Sequence, residues 1–192
     1  MSKSFGSCGG FVGGTSDLIE YLRYTTPGYV FAAGMPPANV GAALGSLRVL
    51  KEHPELVRQL QANGKLFLEL ANEAGLNTGL AQQGTAIVPI ITGDDDQDEA
   101  NRKALQLSES LFNNGINAQP ILYPAVDKEG TRIRIFMTAI HTEKQIRDSV
   151  ETIAREWKKI ESGSPSGSNG SSRNGAQSTK SSTSPTNSAT TE

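Results

Sequence analysis

The sequence lacks the features that mark several large classes of protein. It has a single cysteine, Cys8, so no internal disulfide framework can form, and the chain suits a reducing cytosol. It has no basic excess: 18 Lys and Arg stand against 20 Asp and Glu, a formal net charge of -2. A nucleic-acid or polyanion binder would carry more positive charge, or concentrate it on one face. No apolar run reaches the length of a membrane span, and no charged stretch followed by an apolar one marks a secretory signal. No metal site is expected. The last stretch, residues 161–192, lacks any aliphatic side chain larger than Ala and runs "ESGSPSGSNGSSRNGAQSTKSSTSPTNSATTE". Such a segment cannot bury enough apolar surface to offset its ordering entropy, so a disordered, flexible tail is expected. What remains is a cytoplasmic chain with one compact region.

Ahead of the tail, helical and strand patterns are both present. In "TSDLIEYLRYT", Thr15 or Ser16 can cap a helix carrying Leu18, Ile19 and Leu22. Pro27-Gly28 reads as a turn. Val40, Leu44, Leu47 and Leu50 recur at helical spacing, and Pro54 opens the first turn of another helix that ends at Gly75. "TAIVPIIT" is a β-branched strand candidate, followed by the acidic "GDDDQDE" at the start of a helix that stops at Asn114-Gly115. "INAQPILYPAV" and "TRIRIFMTAI" read as two strands joined by a hairpin turn at "DKEG". In the second strand Ile133, Ile135 and Met137 alternate with Arg132, Arg134 and Phe136, which places both arginines on one face. Thr142 and Gln145 form a capping box for a last helix striped by Ile146, Val150, Ile153, Trp157 and Ile160. Strand, helix, two strands and helix make a small α/β unit behind a long helical segment.

The chain opens "MSKSFGSCGGFVGG", one lysine among glycines. Glycine lets a planar group approach the backbone closely, and lysine is the residue that forms Schiff bases with carbonyls, pyridoxal phosphate included. Taken locally, the same stretch better fits an exposed lysine in a loose N-terminal segment. The wider sequence separates the two readings. "MSKSFGSCGGFVGG", "YLRYTTPGYVFAAGMPP", "GINAQPILYPAV" and "TRIRIFMTAIHTEKQI" resemble, in order and spacing, blocks of the α-oxoamine synthase family of pyridoxal-phosphate enzymes. That family includes 8-amino-7-oxononanoate synthase, 2-amino-3-ketobutyrate ligase, 5-aminolevulinate synthase and serine palmitoyltransferase. "SCGG" and "YPAV" look like the versions found with polyketide assembly lines.

The resemblance implies an α/β chain of the pyridoxal-phosphate-dependent transferase fold type I. Residues 1–75 would be the C-terminal part of the large cofactor-binding domain with its connecting helices, 76–160 the small C-terminal domain, and 161–192 the tail. It implies pyridoxal 5'-phosphate as cofactor, held by Lys3, and a decarboxylative condensation of an amino acid with an acyl thioester, on coenzyme A or a carrier protein, to an α-amino ketone. Lys3 would also move protons at the substrate α-carbon, a role suited to an amine whose pKa is depressed by burial and neighbouring cations. Arg134 matches the family arginine that grips the substrate carboxylate, where a planar guanidinium gives a bidentate pair. Arg132 reads as a surface arginine in a salt bridge, His141 as a structural residue near the last helix cap, and His53 as an exposed loop residue. Tyr123 and Pro124 shape a turn near the substrate channel. Family members are homodimers.

Two departures accompany the match. Where the family commonly places hydroxyl side chains for a cofactor phosphate, this chain has Ala32, Ala33 and Gly34. The family's phosphate loop, ring-stacking histidine and ring-nitrogen aspartate lie upstream of the lysine motif, so Met1 reads as an internal methionine of a longer enzyme. Residues 1–14 would then lack strand neighbours and be poorly ordered, and the chain alone would not turn over. It is either the C-terminal part of a synthase, an inactive fragment, or a subunit that needs an N-terminal half in trans.

Overall fold

The structure, a computed structural model, describes residues 1–93 and 96–163. The tail expected from residue 161 lies outside the described residues from 164 onward.

Four helices come first: α1 (Ser16–Thr25), α2 (Pro27–Val30), α3 (Pro37–Glu52) and α4 (Glu55–Glu73). Thr15 caps α1, its hydroxyl accepting the Leu18 N–H. Pro27-Gly28 is not a free turn but the start of α2, because proline at the first helical position carries the right φ and loses no bond. Pro54 sits one residue earlier than expected, at the N-cap of α4. Helix α4 ends where Gly75 adopts φ +77° and the Leu76 N–H returns to the Ala71 carbonyl, which folds Leu76 back into the core.

Strand β1 (Ile87–Ile91) then leads to α5 (Gln97–Asn113), β2 (Pro120–Ile121), β3 (Arg132–Phe136) and α6 (Glu143–Glu161). The sheet is antiparallel with order β1-β3-β2, Val88 opposite Ile135 and Ile121 opposite Arg132. The second strand candidate is thus only two residues long. "DKEG" makes a 3₁₀ turn at Lys128–Gly130 inside a longer connection rather than a tight hairpin. Pro89 is tolerated inside β1 because β1 is an edge strand. The Ile91 N–H, of the same parity, points away from β3 to the Asn77 carbonyl, so the missing Pro89 N–H removes no ladder bond.

One face of the sheet is packed. Val88, Ile90, Ile133 and Ile135 meet Phe67, Leu68 and Ala71 of α4, Leu107 and Leu111 of α5, and Ile146, Val150 and Ile153 of α6. Helix α4 comes very close at Gly64, where an added Cβ would lie 2.1 Å from the Thr85 carbonyl oxygen. Buried Asn63 beside it donates to the Thr138 and His141 carbonyls, pinning the turn that leads into α6. Both parts of the expected capping box are formed at Thr142 and Gln145. Buried Glu156 ties α6 to α5 through the Ser110 hydroxyl, 2.8 Å away. The hydrogen bonds of Lys159, with those of Ser110 and Arg155, outweigh burial and hold this carboxyl down at about 2.

Among the described residues no helix is long and apolar enough to cross a membrane. Helices α1, α2 and α3 bury none of their residues.

Candidate functional site

Lys3 lies in an irregular loop, residues 1–14, ahead of α1. The loop forms no strand, yet it is not left without contacts. The Lys3 carbonyl accepts the Gly6 N–H in a turn that Gly6 closes with φ +56°, a conformation glycine adopts without strain. Ser7, the one buried residue of the loop, donates its hydroxyl to the Asn39 carbonyl at 2.7 Å. Ser46 donates to the Phe5 carbonyl at 2.9 Å. The loop therefore runs along α3 from Asn39 to Ser46, held there at Phe5 and Ser7. The Lys3 side chain is exposed, and its amine has no hydrogen-bond or ion-pair partner among the described residues.

Beside the loop lies a cavity of about 870 Å³, walled by Cys8, Gly9 and Gly10, by Arg23 and Tyr24 at the end of α1, by α2, and by Ala32–Pro36. Its wall contains one cation and no acidic side chain. Ala32, Ala33 and Gly34 do line it and bring no hydroxyl, so the polar groups of the wall are its backbone and the side chains of Arg23, Tyr24, Tyr29 and Asn39.

Arg134 stands on the opposite face of β3 from the core, exposed, with Arg132 and Phe136. The two arginines differ. Arg132 is half-buried and its Nε donates to the Gly130 carbonyl, not to an acid as a salt bridge would require. The Arg134 guanidinium has no hydrogen-bond or ion-pair partner among the described residues; it lies over the Phe136 ring, 5.8 Å from the centroid. Arg134 also borders a cavity of about 420 Å³ reaching to Asn117, His141 and Gln145. His141 stands just ahead of α6, and its Nδ1 accepts the Thr138 N–H at 3.2 Å. His53 ends α3 and faces Glu55 at 2.8 Å. Tyr123 and Pro124 form the expected turn, closed by the Ala125 N–H to the Leu122 carbonyl.

Lys3 and Arg134 thus belong to different elements, and neither described cavity has both in its wall. Two features escaped sequence reasoning. The alternation in β3 put Phe136 on the Arg134 face but said nothing of their contact. Ser7 looked like one more small residue of the glycine run. Among the described residues no three His, Cys, Asp or Glu side chains cluster to hold a metal.

Comparison with known proteins separates chance from kinship. The profile of the aminotransferase class I and II family matches residues 1–153, which takes in both Lys3 and Arg134. The chain belongs to this family. An 8-amino-7-oxononanoate synthase of Thermoanaerobacter pseudethanolicus is 34% identical over 160 residues, which are 83% of this chain and 38% of that protein. One from Treponema denticola is 36% identical over the same shares. Among solved structures, an SPT with its pyridoxal phosphate as internal aldimine has a TM-score of 0.74 at 25% identity, over 83% of this chain and 39% of that one. The 8-amino-7-oxononanoate synthase of Francisella tularensis has a TM-score of 0.67 at 27% identity, covering 82% and 44%. The fold is that of the pyridoxal-phosphate-dependent transferases. The chain spans about two fifths of the length of the relatives it matches.

Proposed function

We propose that this chain is the C-terminal part of a pyridoxal-phosphate-dependent acyltransferase. The reaction joins an amino acid to an acyl thioester: the α-carbon bonds to the acyl carbon, the thiol leaves, carbon dioxide is lost, and an α-amino ketone results. The observation that carries this reading is the family match through both Lys3 and Arg134, with each side chain exposed and without an internal charge partner.

The cofactor fits this chain at one end. Lys3 offers a free amine in a loop whose glycines put no Cβ in the way. When bound, the cofactor supplies an electron sink for the electrons left at the α-carbon. Lys3 would hold the cofactor through its aldehyde, and the same amine would take and return a proton at the substrate α-carbon. Arg134 would pair with the substrate carboxylate and so orient the bonds at the α-carbon.

A second reading, that the chain works only with an N-terminal half supplied by another segment or chain, draws on a separate observation. Helices α1–α3 bury nothing, and no charged residue occurs between Arg23 and Arg48. A long uncharged and uncovered surface of that kind suits a face hidden in the complete enzyme. Together these support a chain that is inactive alone and a homodimer when complete.

The test is covalent trapping. The chain, alone and joined to the upstream portion of the Thermoanaerobacter relative, is mixed with pyridoxal phosphate and reduced with borohydride, and the modified peptide is mapped. Modification of Lys3 in the joined protein is expected. Modification of another lysine, with Lys3 unreacted, removes the proposal.

A further inference from the structure

The exposed face of the sheet is unusual in one respect: it holds a cation on an apolar floor. Arg134 and Phe136 are two residues apart on β3 and share that face. In β1, Pro89 stands opposite Arg134 and Ile87 opposite Phe136, so their side chains share it too. Phe136 is 56% exposed and Ile87 43%. No acidic residue takes part in these pairs.

The way Arg134 is held matters for what it can bind. An arginine held by a carboxylate spends the N–H edge of its guanidinium on that partner. One held over an aromatic ring spends only the face, and its in-plane N–H donors stay available. Arg134 is of the second kind: among the described residues its guanidinium has no hydrogen-bond or ion-pair partner, and it lies over the Phe136 ring, 5.8 Å from the centroid. Arg132, two residues earlier, shows the alternative: its Nε is already committed to the Gly130 carbonyl.

We infer that Phe136 is a positioning residue for Arg134: its ring supports the guanidinium face and leaves the N–H edge free for a substrate carboxylate. The role rests on the proposed function, since it presumes that Arg134 takes a carboxylate. The contact lowers the number of orientations the long side chain samples before substrate arrives, which is a gain in pre-organisation rather than a new bond to substrate.

Two measurements test it separately. In the ¹⁵N-labelled full chain, the Arg134 Nε–Hε resonance, assigned by Arg134→Lys, is displaced by the ring in the wild type. In Phe136→Leu it returns to the position of a free arginine, and in Phe136→Trp it stays displaced. An unaltered resonance in Phe136→Leu overturns the proposal. In the enzyme completed with the upstream portion, Phe136→Leu raises KM for the amino acid roughly two- to five-fold, the size of an exposed cation–π contact. The thioester KM and kcat hold, and Phe136→Trp restores the amino-acid KM. Equal rises in both KM values, or a fall in kcat alone, overturn the proposal. If the resonance responds while Arg134→Ala leaves the amino-acid KM unaltered, the stacking stands and the carboxylate role of Arg134 falls.

Discussion

Helices α3 and α4 follow one another, are both rich in leucine, and use it differently. The 16 residues of α3 bury nothing, while the 19 of α4 bury Asn63, Gly64, Phe67, Leu68 and Ala71. Overall apolarity does not explain this; the presence of neighbours does. On α4 the apolar residues form a stripe that one sheet and one helix can cover. On α3, Val40, Leu44, Leu47 and Leu50 also form a stripe, with Val49 on the far side, yet each of the five is at least 40% exposed. Among the described residues nothing covers that stripe. The contrast extends to the whole chain: residues 1–57 hold most of its large exposed apolar side chains, and every residue of the apolar core lies at Phe67 or beyond. Stability resides in the second region, and the first carries burial still to be made.

This division can be broken by substitution. Phe67 is fully buried, so Phe67→Ala should cost about 3–5 kcal/mol in urea denaturation of the chain. Leu44→Ala, at a residue 49% exposed, should shift stability by no more than about 0.5 kcal/mol. Similar losses at the two positions would erase the distinction between the regions.

A smaller effect sharpens it through sign. Gly64→Ala drives a methyl into the Thr85 carbonyl and should destabilise by about 1–3 kcal/mol, although alanine is the better helix former. Gly45→Ala, on α3 with open space around it, should stabilise by up to about 1 kcal/mol. Thermal melts of both variants report the signs directly.

The smallest effect concerns pH. The folded Glu156 carboxyl, at about 2, lies below its ordinary 4.5, so the fold favours the ionised form. Its contribution, about 1–2 kcal/mol after allowing for half-exposed Lys159 and Arg155, is complete above about pH 5. It fades as pH falls through 4.5 toward 2. Glu156→Gln should lose stability above that window and converge with the wild type below it, as followed by thermal melts from neutral to acid pH.

Local pattern made some elements plain and hid others. Helix α6 was legible because its stripe and its capping box are both written within a few residues. Helix α2 was not, since Pro-Gly serves a turn and a helix start equally well. β2 was over-read: its neighbours Asn117, Ala118 and Gln119 look no different from strand, and only the path of β3 decides that pairing stops after two residues. Lys3 and Arg134 became visible through kinship rather than through their surroundings. The tie between Ser7 and Asn39 joins residues 32 apart and left no trace in either segment. The Arg134–Phe136 contact depends on side-chain rotamers, to which alternation along a strand is blind.

Pro89 has one more consequence. With no N–H there and the Ile91 N–H already taken by Asn77, the free margin of β1 is a poor template for another strand. Any unwanted clumping of this chain should therefore run through its sticky helices, giving amorphous or oligomeric material instead of fibrils.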